Sequence, residues 1–286
     1  MNVSSAAMKV ILLTGASDGI GLETAKMLLS QGHQLLLHGR NPTKLDKVVQ
    51  ELQTTCAVGT DDDTKKKIDT FVADLSVLEE VESMAQSVLN KYDKIDVLIN
   101  NAGVFKTSNT VTKDGLDTRF AVNTIAPYLL TKRLLPIIPP KSGRVVNVSS
   151  AASQKVDLEA LAGRNPYPLS DFAAYSQSKL GITMWNYALS QQNPDHLMVS
   201  VNPASMLGSK MVREGWGVAG KDLSIGATIL QQLATSKKYG DIGRVSGRYF
   251  DNDSGRFQPP DSDGTNMVKC QALIDAMESI IEEKLN

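Results

Sequence analysis

Short apolar runs alternate with longer amphipathic stretches, and the alternation continues through the chain. Strand-like runs fall at 9–14, 34–39, 68–73, 95–100, 144–149, 198–202 and 247–250. The first contains Val10, Ile11, Leu12 and Leu13 in succession. A strand apolar on both faces is buried on both faces, as in a parallel sheet. Between the runs, helical periodicity predicts helices near 20–31, 42–53, 77–92, 115–136, 172–192, 222–236 and 265–284. The β-then-α order predicts one doubly wound α/β domain over residues 1–286, with a mainly parallel seven-stranded sheet and helices on both faces.

Local signals fit this frame. Ser76 and Glu79 have the spacing of a capping box that opens the third helix. Asn193-Pro194 stops the helix before the sixth strand. Residues 55–67 are polar, with an acidic triplet at 61–63 and a lysine triplet at 65–67, and read as an exposed loop. Residues 164–170 hold two prolines and read as a second loop.

Composition narrows the classes. The 286 residues carry a net charge of −1, so nothing favours nucleic acid or an anionic membrane. Cys56 and Cys270 stand without a CxxC pattern, which fits a reducing compartment and no disulfide or metal framework. His33, His38 and His196 form no metal pattern. The N-terminal residues are too polar for a signal peptide, and no run approaches the ~20 apolar residues of a membrane span. The expectation is a soluble cytoplasmic protein.

The first strand runs into Thr14-Gly15-Ala16-Ser17-Asp18-Gly19-Ile20-Gly21, followed by a helical pattern. Gly15 suits a tight turn, Gly19 a close backbone approach to a pyrophosphate, and Gly21 close helix packing. The anion would sit on free N–H groups at a helix N-terminus, with Ser17, Asp18 and Ile20 around it. A glycine-rich βα turn without a ligand is the alternative. The second strand ends in Gly39-Arg40, where an NAD site would place an acid for the ribose 2′-hydroxyl. Arg40 suits a 2′-phosphate instead, with Ser17 as a further donor, so NADP(H) is favoured over NAD. Asp18 is discordant, because its carboxylate would repel that phosphate. Asp74, followed by Leu75, closes the third strand and suits the adenine amino group. Asn101, Ala102 and Gly103 close the fourth, where small residues let a cofactor approach the backbone.

Tyr175 and Lys179 are four apart in a predicted helix and so share a face. A nearby ammonium favours phenolate and should lower the phenol pKa from its usual ~10. Such a tyrosine exchanges a proton with a substrate oxygen, and Lys179 also suits ribose hydroxyls.

In order along the chain, the 14–21 turn, the 100–103 segment, Asn123, Ser149-Ser150 and Tyr175–Lys179 resemble the short-chain dehydrogenase/reductase superfamily. The long segment between Ser150 and Tyr175 is similar to its retinol-dehydrogenase-like branch. The resemblance implies a Rossmann-type fold that interconverts an alcohol and a carbonyl by hydride transfer. It implies that Ser150 binds the substrate oxygen, Tyr175 is the general acid and base, Lys179 tunes Tyr175, and Asn123 holds a relay water. Pro127, four residues on, has no N–H for the Asn123 carbonyl and would leave it free. Pro203 matches the family's proline, but Ala204 stands where a glycine is usual. Ser209 stands in for the family's threonine. Residues 204–223 read as a mobile substrate lid with an apolar face, and the two long central helices as the face for a homodimer or homotetramer. The sequence leaves two alternatives open: an NAD-dependent dehydrogenase of the same fold, and a protein that senses NADP without catalysis.

Overall fold

A computed structural model describes residues 7–56, 67–165 and 167–286. The acidic triplet, most of the lysine triplet and Pro166 lie outside the described residues.

The strands are β1 (Val10–Leu13), β2 (Gln34–Gly39), β3 (Ile68–Val72), β4 (Val97–Asn100), β5 (Arg144–Val148), β6 (Leu197–Asn202), β7 (Tyr249–Asp251) and β8 (Arg256–Gln258). They form one sheet in the order β3-β2-β1-β4-β5-β6-β7-β8, parallel except for the last pair. The principal helices are α1 (Gly19–Ser30), α2 (Pro42–Thr55), α3 (Leu78–Lys91) and α4, which joins Thr118–Phe120, Ala121–Ile125 and Ala126–Leu134. They continue with α5 (Leu158–Leu161), α6 (Asp171–Gln192), α7 (Lys210–Trp216), α8 (Leu223–Thr235), α9 (Ile242–Val245) and α10 (Met267–Leu285).

Strand alternation divides each apolar run between two cores. Ile11, Leu13, Leu35, Leu37, Val97 and Ile99 pack with α1, α2 and α8. Leu12, Leu36 and Leu98 pack on the opposite face with α3, α4, α6 and α10. Both faces are therefore covered, and the apolar runs require it. α10 packs on α6 and α3, and its Glu278 bonds Tyr128 and Lys132 of α4. The chain's own C-terminal helix thus lies along α6 and touches α4 through Glu278. Among the described residues no helix is long and apolar enough to cross a membrane.

Three details differ from the sequence reading. The sheet has an eighth strand, a three-residue antiparallel edge beyond a turn in which Gly255 has φ +69°. It is too short for a periodicity signal. The Ser76–Glu79 capping box does not form. Ser76 donates to Asp74 instead (2.7 Å), and Asp114 from a distant loop accepts the Leu78 N–H (3.0 Å). Near Pro127, α4 widens into a π-helical turn over Ala121–Ile125, with the Ala126 N–H reaching back to the Ala121 carbonyl. Such widened turns recur at functional sites.

After β6 the backbone is strained. Ala204 has φ +119° and Met206 φ +59°. A side chain at such φ costs on the order of 1–3 kcal/mol, which glycine escapes at an entropic cost of roughly 0.5–1 kcal/mol. Ala204→Gly is therefore expected to stabilise the fold by about 1 kcal/mol, read as a higher urea midpoint with unchanged slope.

Candidate active site

β1 lies between β2 and β4, so the chain winds outward in both directions from this point. Open α/β sheets bind ligands at such a switch, beyond the carboxyl ends of the strands. A cavity of about 510 Å³ opens there. It runs from the Gly15–Gly21 turn and Arg40, past Asp74 and Ala102, to Ser150, Tyr175 and Lys179.

The turn is held by close packing. Gly15 has φ +66°, and a Cβ there would meet Ala102 Cα at 2.8 Å. A Cβ on Gly21 would meet the Gly15 carbonyl oxygen at 2.1 Å. These glycines are required by the protein's own contacts. Gly19, at φ +55°, instead has open space before it, with Ser209 Cβ the nearest atom at 3.7 Å. Thr14 Oγ1 accepts the N–H groups of Asn101 (3.0 Å) and Ala102 (3.1 Å). Asn101 Nδ2 donates to the Thr14 (2.9 Å) and Gly15 (3.1 Å) carbonyls. His38 ties three strand ends together. Its Nδ1 accepts from the Gly15 N–H (3.2 Å), which assigns the ring proton to Nε2, facing the Ala73 carbonyl at 3.0 Å. Burial lowers its pKa and keeps the ring neutral.

Asp18 loses its discordance. It caps α1 by accepting the Gly19 N–H (2.7 Å) and pairs with Lys44 of α2 (2.7 Å). Partial burial opposes its charge, but the Lys44 hydrogen bond and charge prevail and lower its pKa. Arg40 is exposed and stands 3.7 Å from Asp74. Asp74 accepts from Ser76, and buried Leu75 completes that wall. Lys44, four residues past Arg40 on the first turn of α2, was legible only as a helix residue; its partner comes from another loop.

At the other end, Tyr175 is buried, and it lines the same cavity as Ser150. Ser149 and Ser150 separate cleanly. The Ser149 hydroxyl is buried against the Lys179 carbonyl (2.8 Å) and Thr183 (2.8 Å). The Ser150 hydroxyl accepts from the Ala152 N–H (3.1 Å) and faces the phenol. Lys179 shares the face of Tyr175, but its Nζ donates to the Val148 carbonyl (2.8 Å) and stands 5.8 Å from the Tyr175 ring centre. The Lys179 ammonium thus stands beside the ring and not on the hydroxyl. Burial pushes the phenol up, and the nearby Ser150 hydroxyl offsets part of that rise. Burial also brings Lys179 down to about 8.

Asn123 lies beneath the cavity. Its side chain accepts the Val104 N–H (2.8 Å) and donates to the Val104 carbonyl (2.9 Å) and Ser178 (2.9 Å), so the amide clamps the 103–105 loop. A Cβ on Gly103 would press on Asn123 Oδ1 and Lys179 Nζ, each at 3.3 Å. Pro203 is buried at the rim, and Ser209 caps α7 by accepting the Val212 N–H (3.2 Å). The 204–223 segment contains α7 and lines the cavity. Its neck is a close crossing in which Gly208 N–H donates to the Lys221 carbonyl (2.7 Å) and Lys221 N–H to the Met206 carbonyl (2.7 Å). Trp216 stacks on Phe105 (4.7 Å between ring centres), and Phe105 meets Tyr175 edge-on (5.1 Å). Gly215 permits that stack, since a Cβ there would strike the Phe105 ring at 2.7 Å. The sequence marks Trp216 as apolar lid but gives no sign of Phe105, a lone aromatic in a loop.

The residues fit a dinucleotide. The N-terminus of α1 faces the cavity with open space before Gly19, cations stand beyond β2 where an acid would be needed for NAD, and a lysine adjoins the tyrosine.

Comparison with known proteins agrees with this geometry. The sequence profile of the short chain dehydrogenase family matches residues 9–215. The chain is 28% identical over 297 aligned residues to the WW domain-containing oxidoreductase of Gallus gallus, covering 97% of this chain and 69% of that protein. It is 33% identical to retinol dehydrogenase 14 of Mus musculus over 64% of this chain and 56% of that protein, so the match spans little over half of that relative. A metagenomic short-chain oxidoreductase crystallised with NADP superposes with a TM-score of 0.57 at 27% identity, covering 81% of this chain and 93% of the other.

The buried ammonium has a cost that can be measured. Its folded pKa lies below the unfolded value of 10.5, so unfolding takes up a proton between about 8 and 10.5 and stability rises with pH there. Lys179→Met is expected to be more stable than wild type at pH 7 by about 1–3 kcal/mol, with the advantage fading toward pH 10 in urea titrations. A constant difference across that range would contradict the assignment.

Proposed function

Because the chain belongs to the short-chain dehydrogenase/reductase superfamily, in its retinol-dehydrogenase-like branch, we propose that it is an NADP(H)-dependent oxidoreductase interconverting an alcohol and a carbonyl. The observation that carries this reading is the Ser150–Tyr175 pair at the end of a cavity that reaches Gly19 and Arg40. When bound, the nicotinamide supplies or accepts the hydride, the part of the chemistry no side chain can perform.

The chain's own residues handle the proton and the orientation. In reduction, Tyr175 Oη donates its proton to the substrate oxygen, and burial keeps that proton in place until it is needed. Ser150 Oγ steadies the charge that develops on the same oxygen. In oxidation the phenol must first be deprotonated, so that direction speeds up as pH rises. Lys179 Nζ, near the phenol and cavity, suits the nicotinamide ribose hydroxyls. Asn123 acts through its backbone, because its amide is committed to Val104 and Ser178. The Phe105 and Trp216 rings exclude water on one side and offer an apolar wall, which suits a substrate with an apolar body.

The cofactor choice rests on charge. Arg40 with Lys44 beside Asp18 supports a 2′-phosphate, because Lys44 offsets the carboxylate that would repel it. The complex of a relative with NADP points the same way.

Tyr175→Phe should lower turnover by roughly 10²–10⁴-fold while NADPH binding, followed by fluorescence, stays unchanged. NADPH binding without turnover on a broad carbonyl panel, indifferent to that substitution, would point to a sensor. Arg40→Asp should weaken NADPH roughly 10–100-fold and spare NADH. Equal NADPH affinity in that variant would remove Arg40 from the site.

A further inference from the structure

β7 is a short strand near the sheet edge, yet its first residue reaches the active site. Tyr249 donates its hydroxyl hydrogen to the Ser150 carbonyl at 3.0 Å. The next residue, Phe250, points to the opposite core and packs with Tyr239 and Phe257. Alternation therefore sends Tyr249 to the α6 side. β6 lies between β7 and β5, and Tyr249's register partner there is Ser200. That small buried residue leaves room for the ring to cross toward Ser150.

Ser150 needs the support. The last ladder bond at this strand end is the Ser149 N–H to the Val201 carbonyl (2.8 Å). The chain then runs without helix or strand until α5. Ser150 is thus the first residue beyond the sheet. Its hydroxyl accepts from the Ala152 N–H, which leaves its own hydrogen available to turn toward the Tyr175 oxygen across the shared cavity. Turned there, it favours phenolate and works against burial. A small rotation of the Ser150 peptide would carry it away.

We propose that Tyr249 is a positioning residue, whose hydroxyl holds the Ser150 peptide so that the Ser150 hydroxyl stays on Tyr175. The role rests on the alcohol–carbonyl reading above, in which Ser150 and Tyr175 share the substrate oxygen. Tyr249 suits a permanent donor, because burial, then Asp251 and Asp253, raise its pKa and keep it protonated. Tyr175 and Tyr249 also feel one another's charge, but Tyr249 stays protonated through the Tyr175 titration. Lys179 lies on the Tyr175 helix, Lys106, Lys210 and Glu214 line its cavity, and Asp251, Asp253 and Asp261 line the neighbouring pocket with Ser150; Tyr249→Phe replaces none of them.

The test uses the whole chain labelled with 3-fluorotyrosine, which brings phenol titrations down in pH and gives each ring a fluorine signal. Tyr175 is assigned by its loss in Tyr175→Phe. In Tyr249→Phe, which keeps the ring and its packing, the Tyr175 midpoint should move up by about half a unit or more. In Ser150→Ala the midpoint should also rise, and adding Tyr249→Phe should raise it no further. In turnover assays Tyr249→Phe should lower kcat roughly 5–20-fold with NADPH affinity unchanged, since misplacement of a reacting group costs rate more than binding. A Tyr175 midpoint identical in Tyr249→Phe and wild type overturns the proposal, as does a full additional shift in the Ser150→Ala background. If the wild-type chain turns over no carbonyl or alcohol, the functional reading fails, and the fluorine titration still decides whether Tyr249 holds Ser150.

Discussion

The site depends on a polar seam buried between α6 and the end of β5. Tyr175, Lys179, Thr183 and Asn186 lie four, four and three residues apart, so one stripe of α6 carries all of them. Opposite that stripe, Asn186 accepts from Asn147 (2.8 Å), Thr183 meets Ser149 (2.8 Å), Lys179 donates to the Val148 carbonyl (2.8 Å), and Tyr175 reaches Ser150. Asn147 in turn accepts from Asn100 of β4 (2.7 Å). Buried polar groups cost free energy unless paired. Asn186 Nδ2 and Asn100 Oδ1 keep no partner among the described residues, but the bonds that do form favour one register of helix on sheet, the one that sets Tyr175 beside Ser150.

The same burial produces the site's electrostatics. Taken from water, a phenol holds its proton more tightly and an ammonium more loosely, and Tyr175 and Lys179 shift in those directions. Packing around the seam is dense. α10 shares a core with α6 through Cys270, Leu273 and Met277, so the seam is shielded from the outside by the chain itself. At the other end Asp18 stays charged because Lys44 reaches it, and the turn stays tight because two glycines lack the atom that would clash.

Much of this was legible in the chain. The apolar runs announced a parallel sheet, and the 14–21 turn and the tyrosine–lysine spacing marked residues that the fold brings to the two ends of one cavity. Other features were not. The Ser76–Glu79 spacing suggested a cap, but Asp114 arrived from a distant loop and Ser76 turned back to Asp74. Asp18 looked out of place because Lys44 was invisible as its partner. Resemblance put Ser150 ahead of Ser149 as the site serine, and only the positions of Thr183 and the Lys179 carbonyl show that Ser149 is sequestered. Tyr249 carried no local signal at all, being one aromatic in a three-residue strand.

Sequence alone determined what short-range rules govern: the period of each element, the glycine positions where the backbone turns tightly, and the side chains that share a helix face. These depend on residues within a few positions of one another. The tertiary structure decided which hydroxyl is free, which charge is neutralised and how strongly each proton is held. Those properties are set by burial and by partners that come from far along the chain, such as Tyr249 for Ser150 and Lys44 for Asp18, and no local pattern encodes them.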